Sequence, residues 1–483
     1  MQLIFEKSVE GRRGFEVPRS DVGFKAQIPQ PYRRRRDCPL PEVSELDVVR
    51  HFTLLSQRNY SVDTQFYPLG SCTMKYNPKF TEVIAAMPGF ADLHPLLPQL
   101  EDGEKLVQGA LEVIFELEQW LCEITGMRRF TMQPLAGAHG ELTGVMIMAA
   151  YHKTKGNKKK YIIVPDSAHG TNPATAAIAG YEIVAVRSDS RGVMDLNELR
   201  EKLTDEAAGL MLTCPNTLGI FNADVDTIAD MIHAVDGLMY CDGANLNAIL
   251  GRCRPGDIGF DVMHLNTHKT FTTPHGGGGP GAGPVGVVEK LVPFLPISLV
   301  DRREDGTYYL NYDYPESIGY LSSFYGNFAI LLRAYAYILM AGQAGLKAIS
   351  AHAVLNANYI KERLKPYYKI AYDRPCMHEA VFSASEQARR GVHATDIAKF
   401  LIDQNIHPPT VYFPLSVKEA IMIEPTETES KETMDRFVEA MIQADELSRA
   451  DPEAFHDLPK TTVVSRPDEV KAARDLNTNY FAR

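Results

Sequence analysis

Lys269 stands inside the stretch His264-Leu-Asn-Thr-His-Lys-Thr-Phe-Thr-Thr-Pro-His-Gly-Gly-Gly-Gly-Pro-Gly-Ala-Gly-Pro284. An apolar-leaning run, 261–266, comes just before it, and a glycine tract opens at Gly276. Neither helix nor strand tolerates such a tract well, because glycine loses the most backbone freedom on folding. Tracts of this kind serve a sharp turn or a close approach of backbone to a ligand. An amine beside one, at the end of an apolar strand, is placed as a lysine that condenses with a carbonyl would be. Two plainer readings compete. Lysines in loops are mostly solvated, and His264, His268 and His275 are potential metal ligands. Their spacing matches neither a helix-borne HExxH pair nor a Cys/His zinc pattern, so no metal is expected.

Three other groups share this setting. Asp242 follows the apolar run 238–241, and His169 lies in Ser167-Ala-His-Gly-Thr-Asn172 after another apolar run, 161–164. Ala136-Gly137-Ala138 leads into a helix-like segment, 142–151. A small-glycine-small turn at a helix start offers free N–H groups and the positive end of the helix dipole to a phosphate. Each has an ordinary alternative: a turn-capping aspartate, a loop histidine, a glycine-bearing connection. Together they supply what pyridoxal 5'-phosphate requires. A lysine holds its aldehyde, a carboxylate keeps its ring nitrogen protonated so that the ring draws electrons, a flat side chain covers the ring, and backbone donors hold the phosphate. The catalytic candidates are Lys269, His169 and Asp242. The cofactor-binding set comprises Ala136, Gly137, Ala138, His169, Thr171, Asp242, Ala244, His268 and Lys269.

The elements that must position these residues alternate. Short apolar runs at 161–164, 183–186, 210–213, 238–241, 262–265 and 285–288 read as buried strands. Helix-like stretches at 172–179, 196–203 and 229–235 lie between them. Unbroken apolar strands alternating with helices predict a mostly parallel sheet covered on both faces, with ligands at the carboxyl ends of its strands. A helix is expected over 101–126, where Leu106, Ala110, Ile114, Leu117, Leu121 and Ile124 recur three or four apart and Gly126 is a stop. The expected organisation is an extended, proline-bearing arm over 1–60 and a large cofactor-binding α/β domain over 61–305. A smaller α+β domain over 306–450 and a polar tail over 451–483 complete it. Within the small domain, helices are expected at 328–351, 395–404 and 431–447, and strands near 378–383 and 420–424.

Composition excludes several function classes. The chain has 483 residues, 45% hydrophobic and 23% charged, which is ordinary for a globular protein with a large core. A net charge of −11 and a pI near 5.7 argue against nucleic acid as a partner. The one basic run, Arg33 to Arg36, reads as surface or subunit contact. No apolar run of about 18 residues predicts a membrane span, and the N-terminal residues lack a signal-peptide pattern. Seven scattered cysteines without a CxxC pair suit a reduced, cytoplasmic setting.

Longer motifs carry a resemblance. They are Pro68-Leu-Gly-Ser-Cys-Thr-Met-Lys75, Gln133-Pro-Leu-Ala-Gly-Ala-His-Gly-Glu141, Ser167-Ala-His-Gly-Thr-Asn-Pro-Ala174 and Asp242-Gly-Ala-Asn245. Asn266-Thr-His-Lys-Thr270 with its glycine tract, His407-Pro-Pro-Thr-Val-Tyr-Phe-Pro414 and Ile423-Glu-Pro-Thr-Glu-Thr-Glu-Ser430 continue the set. Over about 65–445 the chain resembles glycine decarboxylase, the P-protein of the glycine cleavage system, in its two-subunit form (subunit 2). One departure is Ser317-Ile-Gly-Tyr-Leu-Ser-Ser323, where the family leads one to expect basic residues after the glycine.

The resemblance implies an aminotransferase-like fold type I enzyme, a glycine dehydrogenase (aminomethyl-transferring). Glycine would lose its carboxylate as CO2, and its aminomethyl group would pass to the lipoyl group of H-protein. It also implies a lysine-free partner, subunit 1, in a heterotetramer of two plus two chains. Selection of glycine requires a crowded pocket, for which Tyr67, Ser71, Cys72, Thr73 and His275 are the candidates. The alternatives are a stand-alone decarboxylase or aminotransferase of the same fold, and a cofactor-less scaffold subunit.

Overall fold

The computed structural model describes residues 2–23, 27–36 and 38–482. The chain forms two compact units, Met1–Thr64 and Gln65–Arg483. In the first, regular structure among the described residues before residue 45 is limited to single turns, in keeping with prolines at 18, 29, 31, 39 and 41. The arm then departs from expectation with a helix, Glu45–Ser56, whose first turn is capped by Ser44 Oγ accepting from Asp47 N at 3.1 Å. The basic run 33–36 is exposed.

The second unit is built on a seven-stranded sheet. Its strands are β1 (Arg129–Thr131), β2 (Tyr161–Pro165), β3 (Glu182–Val186), β4 (Ala207–Thr213), β5 (Leu238–Gly243), β6 (Val262–Leu265) and β7 (Val285–Val287), in the order β1-β7-β6-β5-β4-β2-β3. The run from β3 to β6 is parallel, while β7 and β1 join antiparallel. Every residue of β2, β4, β5 and β6 is buried, which is why these segments are continuously apolar rather than alternating. β3 and β4 flank β2 on opposite sides, so the winding reverses there and a crevice opens at the strand ends. The loops leaving β2 and β4 meet in it, with Thr217 Oγ1 donating to Ser167 O at 2.5 Å.

Strands β8 (Leu299–Arg302) and β9 (Tyr308–Asn311) pair with each other across the 305/306 junction. A second sheet holds β10 (Lys369–Ile370), β11 (Ala380–Ser383), β12 (Thr410–Val411) and β13 (Ala420–Ile423), ordered β10-β11-β13-β12 and antiparallel throughout. Its core includes Ile360, Leu364, Phe382, Ile421, Phe437 and Met441.

The helix Phe328–Leu364 is long and apolar enough to cross a membrane by length and composition alone, although no span is expected from the sequence. It is a core helix instead. Ile330, Leu331, Ala334 and Tyr337 pack with the large sheet, and Ala357, Ile360 and Leu364 with the second. Gly342, at φ 57° and ψ −178°, breaks the helical path between those groups. The helix expected from 101 begins only at Gln108, because 3-10 turns at Leu97–Gln99 and Gly103–Leu106 precede it. It stops as expected at Gly126 (φ 76°), whose N–H returns to Cys122 O at 2.8 Å.

Candidate active site

After β6 the chain makes one helical turn, Thr267–Thr270, which presents Lys269. Lys269 Nζ donates to Ser71 O at 2.8 Å. Ser71 arrives along the second sheet: Leu69 bridges Ile423, and Thr410 Oγ1 donates to Gly70 O at 2.9 Å. Ser71 (φ 64°) and Thr73 (φ 51°) both adopt left-handed backbone, which a β-branched threonine enters only when its surroundings force it. Two glutamates do so. Ser71 N donates to Glu379 Oε2 at 2.8 Å. Thr73 donates to Glu424 twice, N to Oε2 at 2.9 Å and Oγ1 to Oε1 at 2.6 Å. Behind the turn, buried Lys75 donates to Thr270 O at 2.6 Å and Glu427 Oε1 at 2.7 Å.

Asp242 closes β5 and is 5% exposed. Burial works against its charge, but neighbours more than offset this and hold its carboxyl below the ordinary range. His264 contributes most, then the Ala244 N–H, Lys269 and Asn172. His264 faces Asp242 across the β5–β6 ladder, with Nε2 3.3 Å from Oδ1. Ala244 N donates to Oδ1 at 3.0 Å and Asn172 Nδ2 to Oδ2 at 3.3 Å. His264 is fixed in turn by Tyr240, whose OH is 2.6 Å from Nδ1.

The helix Gly137–Thr154 begins beside the β6 exit, with Ala136 extended as its first flanking residue. Its first closed backbone bond is Gly140 N to Ala136 O (2.9 Å), so the amides of Gly137, Ala138 and His139 precede the intrahelical ladder. Ala136 and Ala138 are exposed there. The backbone is packed too tightly for side chains: a Cβ on Gly283 would lie 2.1 Å from Ala136 O, and one on Gly137 2.6 Å from Asn266 Oδ1. This explains the late glycines of the tract, whereas Gly276 and Gly277, at φ 59° and 69°, form an exposed turn. Gln133 anchors the approach, because Ser322 Oγ donates to its carbonyl at 2.8 Å. The departing loop 317–323 thus serves as a brace for the turn.

His169 is exposed, with its ring edge-on to Phe413 at 5.9 Å and Nδ1 2.8 Å from Thr171 Oγ1. Thr171 Oγ1 lies 2.8 Å from Glu141 Oε2. His268 is pushed down to about 4 by burial first and the Lys269 charge second, and is therefore neutral near pH 7. His275 Nε2 is 3.0 Å from His268 O, and burial lowers it too. The three histidines considered as ligands do not converge, since His264 serves Asp242 while His268 and His275 pair with each other (6.1 Å between ring centroids). Cys72 is half-buried in the Ser71–Thr73 turn, and its thiol is raised by burial first. Tyr67 stacks face to face on His407 at 3.6 Å.

Pyridoxal phosphate fits this donor set. Among the described residues Asn266 Oδ1 and His268 Nδ1 are buried without a hydrogen-bond partner, and glycine at 137 leaves the Asn266 side chain its room beside the helix start. Lys269, Asp242 and the Ala136–Ala138 turn would hold it.

A family model described as glycine cleavage system P-protein matches residues 20–312, more than half of the chain. The chain belongs to that family. A second model, the glycine dehydrogenase C-terminal domain, matches 349–457. A probable glycine dehydrogenase (decarboxylating) subunit 2 from Caldanaerobacter subterraneus is 56% identical over 477 residues, covering 98% of this chain and 97% of the relative. The like-named protein of Bacillus cytotoxicus is 54% identical over 482 residues, covering 99% and 97%. Among solved structures, an inhibitor-bound glycine decarboxylase (P-protein) superposes with TM-score 0.72 at 19% identity, over 86% of this chain and 93% of that one. The cysteine desulfurase CsdA from Escherichia coli superposes with TM-score 0.60 at 15% identity, over 82% and 98%. These likenesses establish the fold: that of the P-protein and of pyridoxal-phosphate enzymes of fold type I.

In this P-protein family member, sequence reasoning missed Glu379, Glu424, Asn172, Asn266 and the part His264 plays. Glu424 carried a signal, being an acidic residue directly after the apolar strand β13. Glu379 carried none.

Proposed function

We propose that this chain decarboxylates glycine using pyridoxal phosphate carried on Lys269, and passes the aminomethyl group to the lipoyl group of H-protein. The observation that carries this reading is the approach of an amine, Lys269, and a buried carboxylate, Asp242, at neighbouring strand ends within the P-protein fold. When bound, the cofactor supplies an electron sink for the pair left as CO2 departs.

The chain's own residues set the conditions. Asp242, kept ionised by His264, Asn172 and the Ala244 N–H, holds a proton on the cofactor ring nitrogen. His268 stays neutral next to Lys269 and so adds no competing positive charge. The amides of Gly137 and Ala138, with the helix dipole, receive the phosphate. Ser71 O orients the Lys269 amine. His169 and Thr171 form the wall at the β2 exit, and Cys72, Thr73 and His275 crowd the lysine side. Such crowding discriminates by about 1–3 kcal/mol per extra methylene, which favours an amino acid without a side chain. A poorly solvated site also promotes loss of a carboxylate.

Membership of the family supports glycine as substrate and a second subunit as partner. On the proposed reading this subunit lacks the lysine, the two assemble two plus two in the cytoplasm, and lipoylated H-protein takes the aminomethyl group. The deciding experiment is borohydride reduction of the chain with pyridoxal phosphate, with and without subunit 1, followed by peptide mass mapping. Wild type should carry the reduced cofactor on Lys269, and Lys269→Ala should carry none. Turnover that proceeds without H-protein would instead indicate a stand-alone decarboxylase. Labelling of another lysine, or of none, would refute the assignment.

A further inference from the structure

Three buried side chains outside the cofactor cradle form a cluster at the junction of β11 and β13. His378, Glu379 and Glu424 are all 0% exposed, and their ligating atoms lie within 4.8 Å of one another. The hydrogen bonding of the two carboxyls is unequal. Glu424 receives Thr73 N, Thr73 Oγ1 and, at 3.3 Å, Asn247 Nδ2. That is the environment an ionised carboxylate requires. Glu379 receives Ser71 N on Oε2, while among the described residues Oε1 and both His378 ring nitrogens have no hydrogen-bond partner, His378 Nε2 standing 3.7 Å from Oε1. The groups facing the pair are His378, Lys269, Cys72 and His275; His378 is driven down by burial and is neutral. Among the described residues no arginine or lysine bonds directly to either carboxyl, so two bare charges would stand together out of water.

We propose that Glu379 and Glu424 share one proton, resident on Glu379, and together latch the Ser71–Thr73 turn that positions Lys269. The glutamates reach the lysine through backbone: Glu379 accepts Ser71 N–H while Ser71 O accepts Lys269 Nζ. They are positioning residues. Burial first and the Glu424 charge second raise the Glu379 carboxyl well above the ordinary range, in keeping with this geometry. The latch deepens the reading of Lys269 as cofactor carrier, but it can be tested without cofactor.

The test uses the full cofactor-free chain with its partner subunit. Infrared difference spectra across neutral pH should show the carbonyl stretch of one buried protonated carboxyl in wild type, absent from Glu379→Gln. Amide exchange over residues 68–76 should accelerate about tenfold or more in Glu379→Ala and Glu424→Ala. Both glutamine variants, which keep an acceptor for Ser71 N and Thr73 N, should exchange as wild type does. Where an alanine variant fails to fold, the infrared band and the glutamine variants still decide. A missing band, unchanged exchange in the alanine variants, or a stoichiometric metal ion in the purified protein would each overturn the latch. A retained latch in a chain that fails to reduce cofactor onto Lys269 would count against the cofactor reading alone.

Discussion

His264 and Asp242 are directly opposed partners in the β5–β6 ladder, and the imidazole Nε2 stands 3.3 Å from the carboxylate Oδ1. The register of the sheet therefore places a histidine against the carboxylate proposed to hold the cofactor ring nitrogen. Replacing His264 with Phe should leave a buried carboxylate short of its strongest neighbour. We expect kcat to fall about tenfold or more and cofactor affinity to weaken, with the fold retained. Steady-state kinetics and cofactor titration check this, and wild-type values in both would contradict the role given to His264.

The same carboxylate makes an acid-stability prediction. Asp242 binds a proton more weakly folded than unfolded, so its contribution is fully present above the unfolded value near 3.8 and is lost as pH falls through the lower folded value. Unfolding by acid, followed by circular dichroism, should therefore be less steep below about pH 4 in Asp242→Asn than in wild type.

His268 predicts an effect at milder pH. Its proton affinity drops from 6.5 unfolded to about 4 folded, so the unfolded chain takes up the extra proton between these values. Stability should decline as pH falls from 6.5 to 4, by roughly 3 kcal/mol from this residue if the whole shift is expressed. His378, His275 and His152 are depressed by burial and add in the same direction. Urea unfolding at the two ends of this range should show a smaller difference for His268→Gln than for wild type.

Lys75 and Glu427 form an ion pair at 2.7 Å, with side chains 1% and 6% exposed. Removing one partner strands the other charge, so Lys75→Met should destabilise the protein by about 3–5 kcal/mol. The double replacement Lys75→Met with Glu427→Gln should recover much of that loss. Lys75 also bonds Thr270 O, the residue after Lys269, so the single variant should bind cofactor less well.

Gly283→Ala should weaken cofactor binding about tenfold and cost about 1–3 kcal/mol, because the added methyl meets the Ala136 carbonyl, backbone that cannot step aside. Gly109→Ala, with nothing within 4 Å, is the control and should bind cofactor normally.

Legibility in the sequence followed sequence distance. Lys269 and Asp242 each sit just after an apolar run, and the 136–138 turn just before a helix-like one, so local pattern exposes them. The parallel sheet was readable because β2, β4, β5 and β6 are buried on every residue. Glu379 and Glu424 act on residues 308 and 351 positions away, a relation no local pattern encodes. Strand β1, three residues long, is too short to show a period. The helix start moved from 101 to Gln108 because Asp102 turns left-handed between two 3-10 turns, and spacing alone does not register that.

The helix Phe328–Leu364 gives its residues up to Ile349 to one core and those from Ala357 onward to the other. A chain divided at residue 305 would strip the larger core of a wall and leave the smaller half with bare apolar surface. Neither piece is expected to stand alone, and heating should melt both cores in one cooperative transition rather than two. The lysine and the glutamates that hold its turn are thereby tied to a common fate: the site exists only when the whole second unit is folded.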